Sequence, residues 1–527
     1  MADNRLLDRR AMLSRREFLE LSGAAGAAAM LPADFSRAEG TGDSPKKGGI
    51  LRVAHTNNPS SLDPSTGRGG SEHTILWGIF DTLIRFEPKT LTAVPGLARS
   101  WSYPDPQSLV LDLETDVLFH DGTSFDATAV KANFDRMLSN PRSTVKADIE
   151  SLASVEVINP ARVVLHLKYP DSAMPLILSD RAGMMASPEA FNKFGPDFDR
   201  HPVGSGPWQF VSWEDGNKAS IRRNEKYWRE GRPYLDGIDF RMIVDTNAGL
   251  RSVLAGENDI VYRVAAHQIP VAKRAANLEI VVGPTMWVEM VYFNYAHPPI
   301  NDLRVRQAIN HAIDRNAYAR AILGETGEVA TGLLPKSHWA YAESVADRYP
   351  YPYDPEKAKR LLAGAGFPNG CELVSLSYSD QARMRQSDII TQMLGQVGIK
   401  LRQDNGLMAT INARWQSGEG DFHLSSFTGR PDPTLSYASI FSKDGIFNPA
   451  HIEPSSELAD AIRRSRASTE ISERKAAFED VQRIERANAL FVPLGFEPEI
   501  LVHNTRVKGY VGNLIGKPRF DDVYLTS

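Results

Sequence analysis

Two hydrophobic periods are interleaved along this chain, and no single layer of secondary structure can satisfy both. In SLVLDL and RVVLHL, the residues Leu109, Leu111 and Leu113, then Val163, Leu165 and Leu167, alternate with polar neighbours. That is the period of a half-buried strand. IDFRMIVD repeats it, with Ile238, Phe240, Met242 and Val244 expected on one face. Further along, Val305, Ala308, Ile309, Ala312 and Ile313 recur at helical spacing. DPEKAKRLLAGAG adds Asp354 as an N-cap, Pro355 at the first helical position and glycines at the end. Helices are also expected over 385–396 and 472–488, and a strand over 489–496. Strands and helices occur in both halves without strict alternation, so the fold class is α/β or mixed. A length of 527 residues exceeds one core and predicts about three or four domains.

Charge and cysteine content narrow the function. A net charge of −5 offers no footprint for nucleic acid or an anionic membrane. The single cysteine, Cys371, excludes an internal disulfide, a thiolate metal cluster and a haem attachment pair.

The N-terminus reads as an address. SRREFL, from Ser14 to Leu19, precedes the apolar run LSGAAGAAAML and then PADFSRAEG. A basic start, a short apolar stretch and small residues before a break make a secretory signal, too short to span a membrane. The pair Arg15-Arg16 with Phe18 and Leu19 resembles a twin-arginine export signal, although Glu20 stands where that pattern often carries lysine. Cleavage is expected after Ala38, and residues 39–46 form a flexible lead-in. An amphipathic N-terminal helix is the weaker alternative, given the Ala and Gly content.

Motifs for catalysis are missing. No two histidines flank a glutamate at helical spacing, and GXSXG does not occur. Gly204-Ser205-Gly206 runs into Pro207, not a helix, and GRGG (67–70) lacks the lysine of a phosphate loop. His120-Asp121 lies in VLFHDGTSF, where Asp-Gly reads as a hairpin turn. No metal, cofactor or enzymatic activity is expected.

Several stretches, taken in order, resemble one family. They are GGILRVAHTNNPSSLDP, IFDTLIRFEPKTLTAVPGLARSW, VLFHDGTSFDATAV, PVGSGPWQFVSWEDG, RNEKYWREGRPYLDGI, VYFNYAHPPINDLRVRQAINHAIDR and YDPEKAKRLLAGAGFPNG, with the Pro-Asp-Pro turn at 431–433. Together they are similar to the family 5 periplasmic solute-binding proteins, the peptide-type receptors of ATP-driven importers. The likeness runs from about residue 48 to the C-terminus. It implies two lobes with an inserted domain and a ligand cleft between the lobes. Lobe I would comprise 47–82, 203–285 and 497–527, the inserted domain 83–202 and lobe II 286–496. The hinge crossings would lie near Gly283–Trp287 and Leu490–Glu497. It also implies a periplasmic protein that meets membrane permease subunits; a monomer is expected, and the leader implies passage through the twin-arginine machinery.

The resemblance further implies where ligand binds. Peptide-binding members carry an aspartate four residues before the proline at Pro433, and it pairs with the peptide's amine. Gly429 stands there, followed by Arg430. Arg430 is therefore expected to face the cleft and meet an anionic group, with a surface or inter-lobe salt bridge as the alternative. Trp287 could stack on a ligand or belong to the core. Asn57 and Asn58 could give polar contacts or serve a turn. A secreted hydrolase with unrecognised carboxylates, or a ligand-presenting subunit of a membrane sensor, are the competing functions.

Overall fold

The computed structural model describes residues 45–526 except 68, 69, 71, 347, 348, 444, 446 and 450. The export signal and most of the lead-in lie outside the described residues. Three sheets organise the rest. The first has seven strands in the order Leu278–Gly283, Glu499–Asn504, Ile260–Tyr262, Ile50–His55, Gly237–Met242, Lys218–Arg223 and Trp208–Glu214. Ile50–His55 runs parallel to both its neighbours, while the other pairs are antiparallel.

The second sheet is antiparallel throughout, in the order Ala98–Asp105, Ser108–Leu113, Arg162–Leu167 and Leu152–Asn159. Leu109 pairs with Leu165 and Leu111 with Val163. The alternating leucines and valines are all buried and share a core with Val130 and Phe134 of the helix Ala127–Ser139. The expected hairpin is present: the Phe119 N–H donates to Thr123 (2.8 Å) and Gly122 has φ +86°. His120 gives a ring nitrogen to Gly206 at 2.9 Å, so it braces the turn.

The third sheet runs Glu328–Val329, Phe491–Phe496, Val288–Phe293, Phe422–Phe427, Glu372–Tyr378 and Lys400–Gly406. Its helices start where capping residues say they should. Asp302 accepts from Arg304 N (2.8 Å) at the helix Leu303–Ala312, and Asp354 accepts from Lys357 N (2.8 Å) at Pro355–Gly364. No described helix is long and apolar enough to cross a membrane.

One strand expectation needs correction. Ile238 and Phe240 are buried, but the strand stops at Met242 and Val244 is 70 % exposed. Asp245 caps the helix Thr246–Leu254 by accepting from Ala248 N (2.6 Å), so the chain has left the sheet before Val244.

The first and third sheets are the cores of two lobes. The chain passes between them twice, from Gly283 to Val288 and from Phe496 to Glu499. The two passages are bonded to each other: Thr285 Oγ1 donates to the Glu497 carbonyl (2.6 Å), and Glu497 N–H donates to the Trp287 carbonyl (2.8 Å). Bonds so close to the crossing can persist while the lobes rotate about it.

Candidate functional site

A cavity of about 210 Å³ opens beside the crossings. Arg263 and Gly516 line it from the first lobe, Leu323 and Gln386 from the second, and Trp287 and Glu497 stand at the crossings themselves. Trp287 is 8 % exposed; its Nε1–H donates to the Ile515 carbonyl (2.8 Å), and the Arg263 guanidinium lies 4.3 Å from its ring centroid. The indole is therefore held on one side while it still borders the cavity.

Behind this wall lies a buried charge cluster. Arg383, in the first turn of the helix Gln381–Gly395, donates to Glu289, to Gln386 Oε1 (2.6 Å) and to Ser426 Oγ (2.9 Å). Glu497 lies 3.8 Å from the same guanidinium. Burial works against the charged form of Glu289, yet Arg383 prevails and holds that carboxyl below its usual range. Glu497 fares differently: burial, then the neighbouring Glu289, push it up to about 8. Two carboxylates thus compete for one close cation. Glu289, fully buried, keeps one oxygen without a hydrogen-bond partner among the described residues.

Arg430 belongs to a second constellation. Strand Phe422–Phe427 leads to Gly429, whose φ of +71° suits glycine, and a Cβ placed there would lie 2.7 Å from Met286 Cβ. An aspartate therefore does not fit at 429 without a shift. Arg430 is half-buried, and its backbone N–H donates to Ser436 Oγ (3.2 Å). Among the described residues its guanidinium makes no hydrogen bond or ion pair. Asp432 does not compete for it: this carboxylate caps the helix Pro433–Phe441 and takes a two-point contact from Arg474 (2.7 and 2.9 Å).

The charges that feel Arg430 come from other parts of the chain. Burial pushes Lys517 down to about 8, with Asp180 opposing and the Arg430 and Arg181 guanidinium groups adding to it. Burial raises Asp148, and Arg430 pulls the other way. Asp180 in turn contacts His73 Nε2 (2.6 Å). Arg430 thus lies under the influence of one buried cation, Lys517, and one buried carboxylate, Asp148.

The asparagines separate. Asn58 accepts from Trp213 Nε1 (3.1 Å) and Gly216 N (3.0 Å) and donates to Asp215 (3.3 Å). Its amide is used at the 214–217 turn, the second of the two roles that its sequence position leaves open. Asn57 is half-buried and makes no side-chain hydrogen bond among the described residues. Sequence reasoning missed Glu289, Arg383, Glu497 and Lys517. Nothing local marks them, and Glu289 and Arg383 lie 94 residues apart. No described group of three or more His, Cys, Asp or Glu could hold a metal ion.

Two lobes, two bonded crossings and a cavity between them define a two-lobed solute-binding protein. Residues 92–448 match the model for the bacterial extracellular solute-binding proteins, family 5 (middle region), and the chain belongs to that family. Among curated relatives it is 31 % identical over 475 residues to the glutathione-binding protein GsiB of Salmonella paratyphi A, covering 87 % of this chain and 91 % of that one. The Escherichia coli O157:H7 protein of the same name is 29 % identical over 472 residues, with the same coverage. Among solved structures, the periplasmic binding protein DppA of Helicobacter pylori, in complex with the peptide STSA, aligns with TM-score 0.82 at 23 % identity, covering 92 % of this chain and 99 % of that one. AgaA of A. tumefaciens R10, in complex with agropinic acid, aligns with TM-score 0.79 at 23 % identity over 91 % and 99 %. These two likenesses concern the fold.

Proposed function

We propose that this protein is the substrate-binding component of an ABC importer for peptides or related small, polar, carboxylate-bearing solutes. It has no catalytic role and hands ligand to membrane permease subunits when its lobes close. The observation that carries the ligand class is Arg430, a half-buried guanidinium without a side-chain partner among the described residues, beside the glycine that replaces an amine-binding acid. Its planar fork suits a carboxylate. The names of the relatives support the reading, since glutathione is a carboxylate-bearing peptide. Trp287 and Asn57 complete the ligand's surroundings in this reading. The lobes comprise 47–82, 203–285 and 497–527 against 286–496, with 83–202 inserted.

The protein works as a periplasmic monomer, exported through Arg15 and Arg16 and cleaved after Ala38. Replacing both arginines with lysine should leave precursor in the cytoplasm; undiminished export of that variant refutes the twin-arginine route. For the ligand, calorimetry compares wild type, Arg430→Ala and Arg430→Lys against whatever mass spectrometry finds co-purifying, and against its amidated analogue. Truncation should cost about 2–5 kcal/mol of binding, and lysine should recover only part. Wild-type affinity for the acid in a folded Arg430→Ala protein would make the arginine a bystander.

A further inference from the structure

The end of the helix Ile471–Ala487 buries two side chains whose charged ends no described neighbour satisfies. Glu485 and Arg486 are 2 % and 6 % exposed. Both oxygens of Glu485 and both terminal nitrogens of Arg486 lack a hydrogen-bond partner among the described residues. The two groups converge: a Cβ placed at Gly332 would lie 2.8 Å from Glu485 Oε1 and 3.1 Å from Arg486 Nη2, yet no hydrogen bond joins them. Buried polar groups are otherwise paired and an unpaired buried charge is costly, so this arrangement points to a binding site.

Both side chains border a cavity of about 10 Å³, room for one water-sized particle. Its other polar groups are already engaged. The Tyr351 hydroxyl donates to the Arg486 carbonyl (2.5 Å), and the Tyr349 hydroxyl donates to Asn310 Oδ1 (2.5 Å). Arg486 Nε donates to the Thr331 carbonyl (2.9 Å). The Arg486 fork and the Glu485 carboxyl are what remains to meet an occupant. More positive charge stands behind the tyrosines. The Arg315 guanidinium lies 3.5 Å from the Tyr349 ring centroid, with Nε and Nη1 buried and unpartnered among the described residues.

The charges around the cavity decide what kind of particle fits. Burial pushes Glu485 up to about 8 against the pull of Arg486, so near pH 7 the carboxyl is largely protonated and offers an O–H. Tyr349, Tyr437 and Tyr295, which feel Glu485, are kept neutral by burial. Burial lowers Arg315 and Arg486 adds to that, while Asp314 opposes. The Asp314 carboxylate also caps the helix Arg315–Ile322, accepting from Ala317 N (2.9 Å). Arg306, near Tyr295 and Tyr351, gives its donors to the carbonyls of Ile300, Asn301 and Asn488. A water at the Arg486 fork would make hydrogen bonds and leave the positive charge. A monatomic anion would answer both, accepting from the fork and from the Glu485 O–H.

We propose that this cavity in the second lobe is a halide site, taking one chloride-sized anion between the Arg486 guanidinium and the Glu485 carboxyl. Phosphate, sulfate and carboxylates are too large for it. The site is independent of the ligand read for the cleft. It ties the helix end to Phe491 and Pro493 of the strand Phe491–Phe496, which runs into the second crossing.

The test follows the melting temperature of the mature protein in sodium chloride, sodium bromide and sodium gluconate at equal ionic strength. Near pH 7, chloride and bromide should raise it by an equal step for each tenfold increase past half-filling, and gluconate, too large to enter, should not. Arg486→Met keeps the stem and loses the fork, so it should lose the halide response whatever its own melting temperature. Above about pH 8 an ionised Glu485 repels the anion, and wild-type halide affinity should fall by up to about tenfold per pH unit. In Glu485→Gln, which stays neutral, the affinity should hold level over the same range. Crystals soaked in bromide should show an anomalous peak beside the Arg486 fork. Equal melting temperatures in chloride and gluconate overturn the proposal, as does a halide response that survives in Arg486→Met. A peak in the cavity without anomalous signal overturns it in favour of an ordered water. A wild-type response as steep at pH 9 as at pH 7 overturns the part given to Glu485. If Arg486→Met does not fold, the bromide peak and the pH comparison decide.

Discussion

Two buried clusters of arginine and carboxylate differ in one respect, whether every charged oxygen is satisfied. Where the second lobe meets the domain built on the antiparallel sheet, Arg466 makes a two-point contact with Asp171 (2.6 and 3.1 Å), and Ser151 Oγ and Ala173 N also donate to that carboxylate. Nearby, Asp432 takes Arg474 and Thr434 N, while Arg474 Nε donates to the Ser465 carbonyl (2.7 Å). At the hinge, one guanidinium serves two carboxylates, and a buried oxygen of Glu289 stays unpartnered. Saturated pairs have nothing left to offer a ligand and act as scaffold. The unsaturated cluster keeps a buried oxygen that its one close arginine does not reach.

The largest expected effect comes from breaking the saturated side. Arg474→Ala leaves Asp432 buried and unpaired, at a cost of about 3–5 kcal/mol in urea unfolding. A loss under about 1 kcal/mol would mean that the pair is not the scaffold described here.

Next comes an attempt to move the acid back to its family position. Gly429→Asp must take a positive φ and displace Met286, so destabilisation of about 2–4 kcal/mol is expected, without gain for amine ligands. Tighter binding of free-amine peptides by this variant would show that the site still takes an acid at 429.

A milder change probes the inter-domain contact. Asp171→Asn keeps the shape but weakens the charge-assisted bonds to Arg466, costing about 1–3 kcal/mol. Because Arg466 joins different parts of the chain, ligand-free protein should also show a larger radius of gyration in solution scattering. An unchanged radius would confine the effect to local packing.

The last effect is in the titration. Burial pushes Glu485 up to about 8, as burial and Glu289 do for Glu497, against an ordinary value of 4.5. A carboxyl raised on folding contributes stability that is full below 4.5 and is lost as pH climbs through about 8. The melting temperature should therefore fall between about pH 5 and pH 9, and Glu485→Gln should flatten part of that decline. Identical profiles for the variant and wild type would remove Glu485 from the account.

Much of the fold was legible because its causes are local. Leu109, Leu111 and Leu113 alternate wherever that sheet sits, Asp302 and Asp354 cap the helices that begin just after them, and Asp121-Gly122 turns the chain by itself. Val244 marks the limit: the alternation continued, but the Asp245 cap acted first. The site was less legible. Arg430 stood out beside a glycine and a rigid turn, whereas Asn58 showed the same polar side chain that a ligand contact or a turn would need.

By itself, then, the sequence determined the periods, the caps, the turns and the order of family-like segments, all of which depend on residues within about one helical turn or one strand of each other. Only the tertiary structure decided which charges meet. Glu289, Arg383 and Glu497 come from a strand, a helix start and a hinge passage, and Lys517 comes under the influence of Arg430 from the far end of the chain. The energy of a charge depends on burial and on neighbours within a few ångströms. Neither exists until the lobes have packed around the crossings.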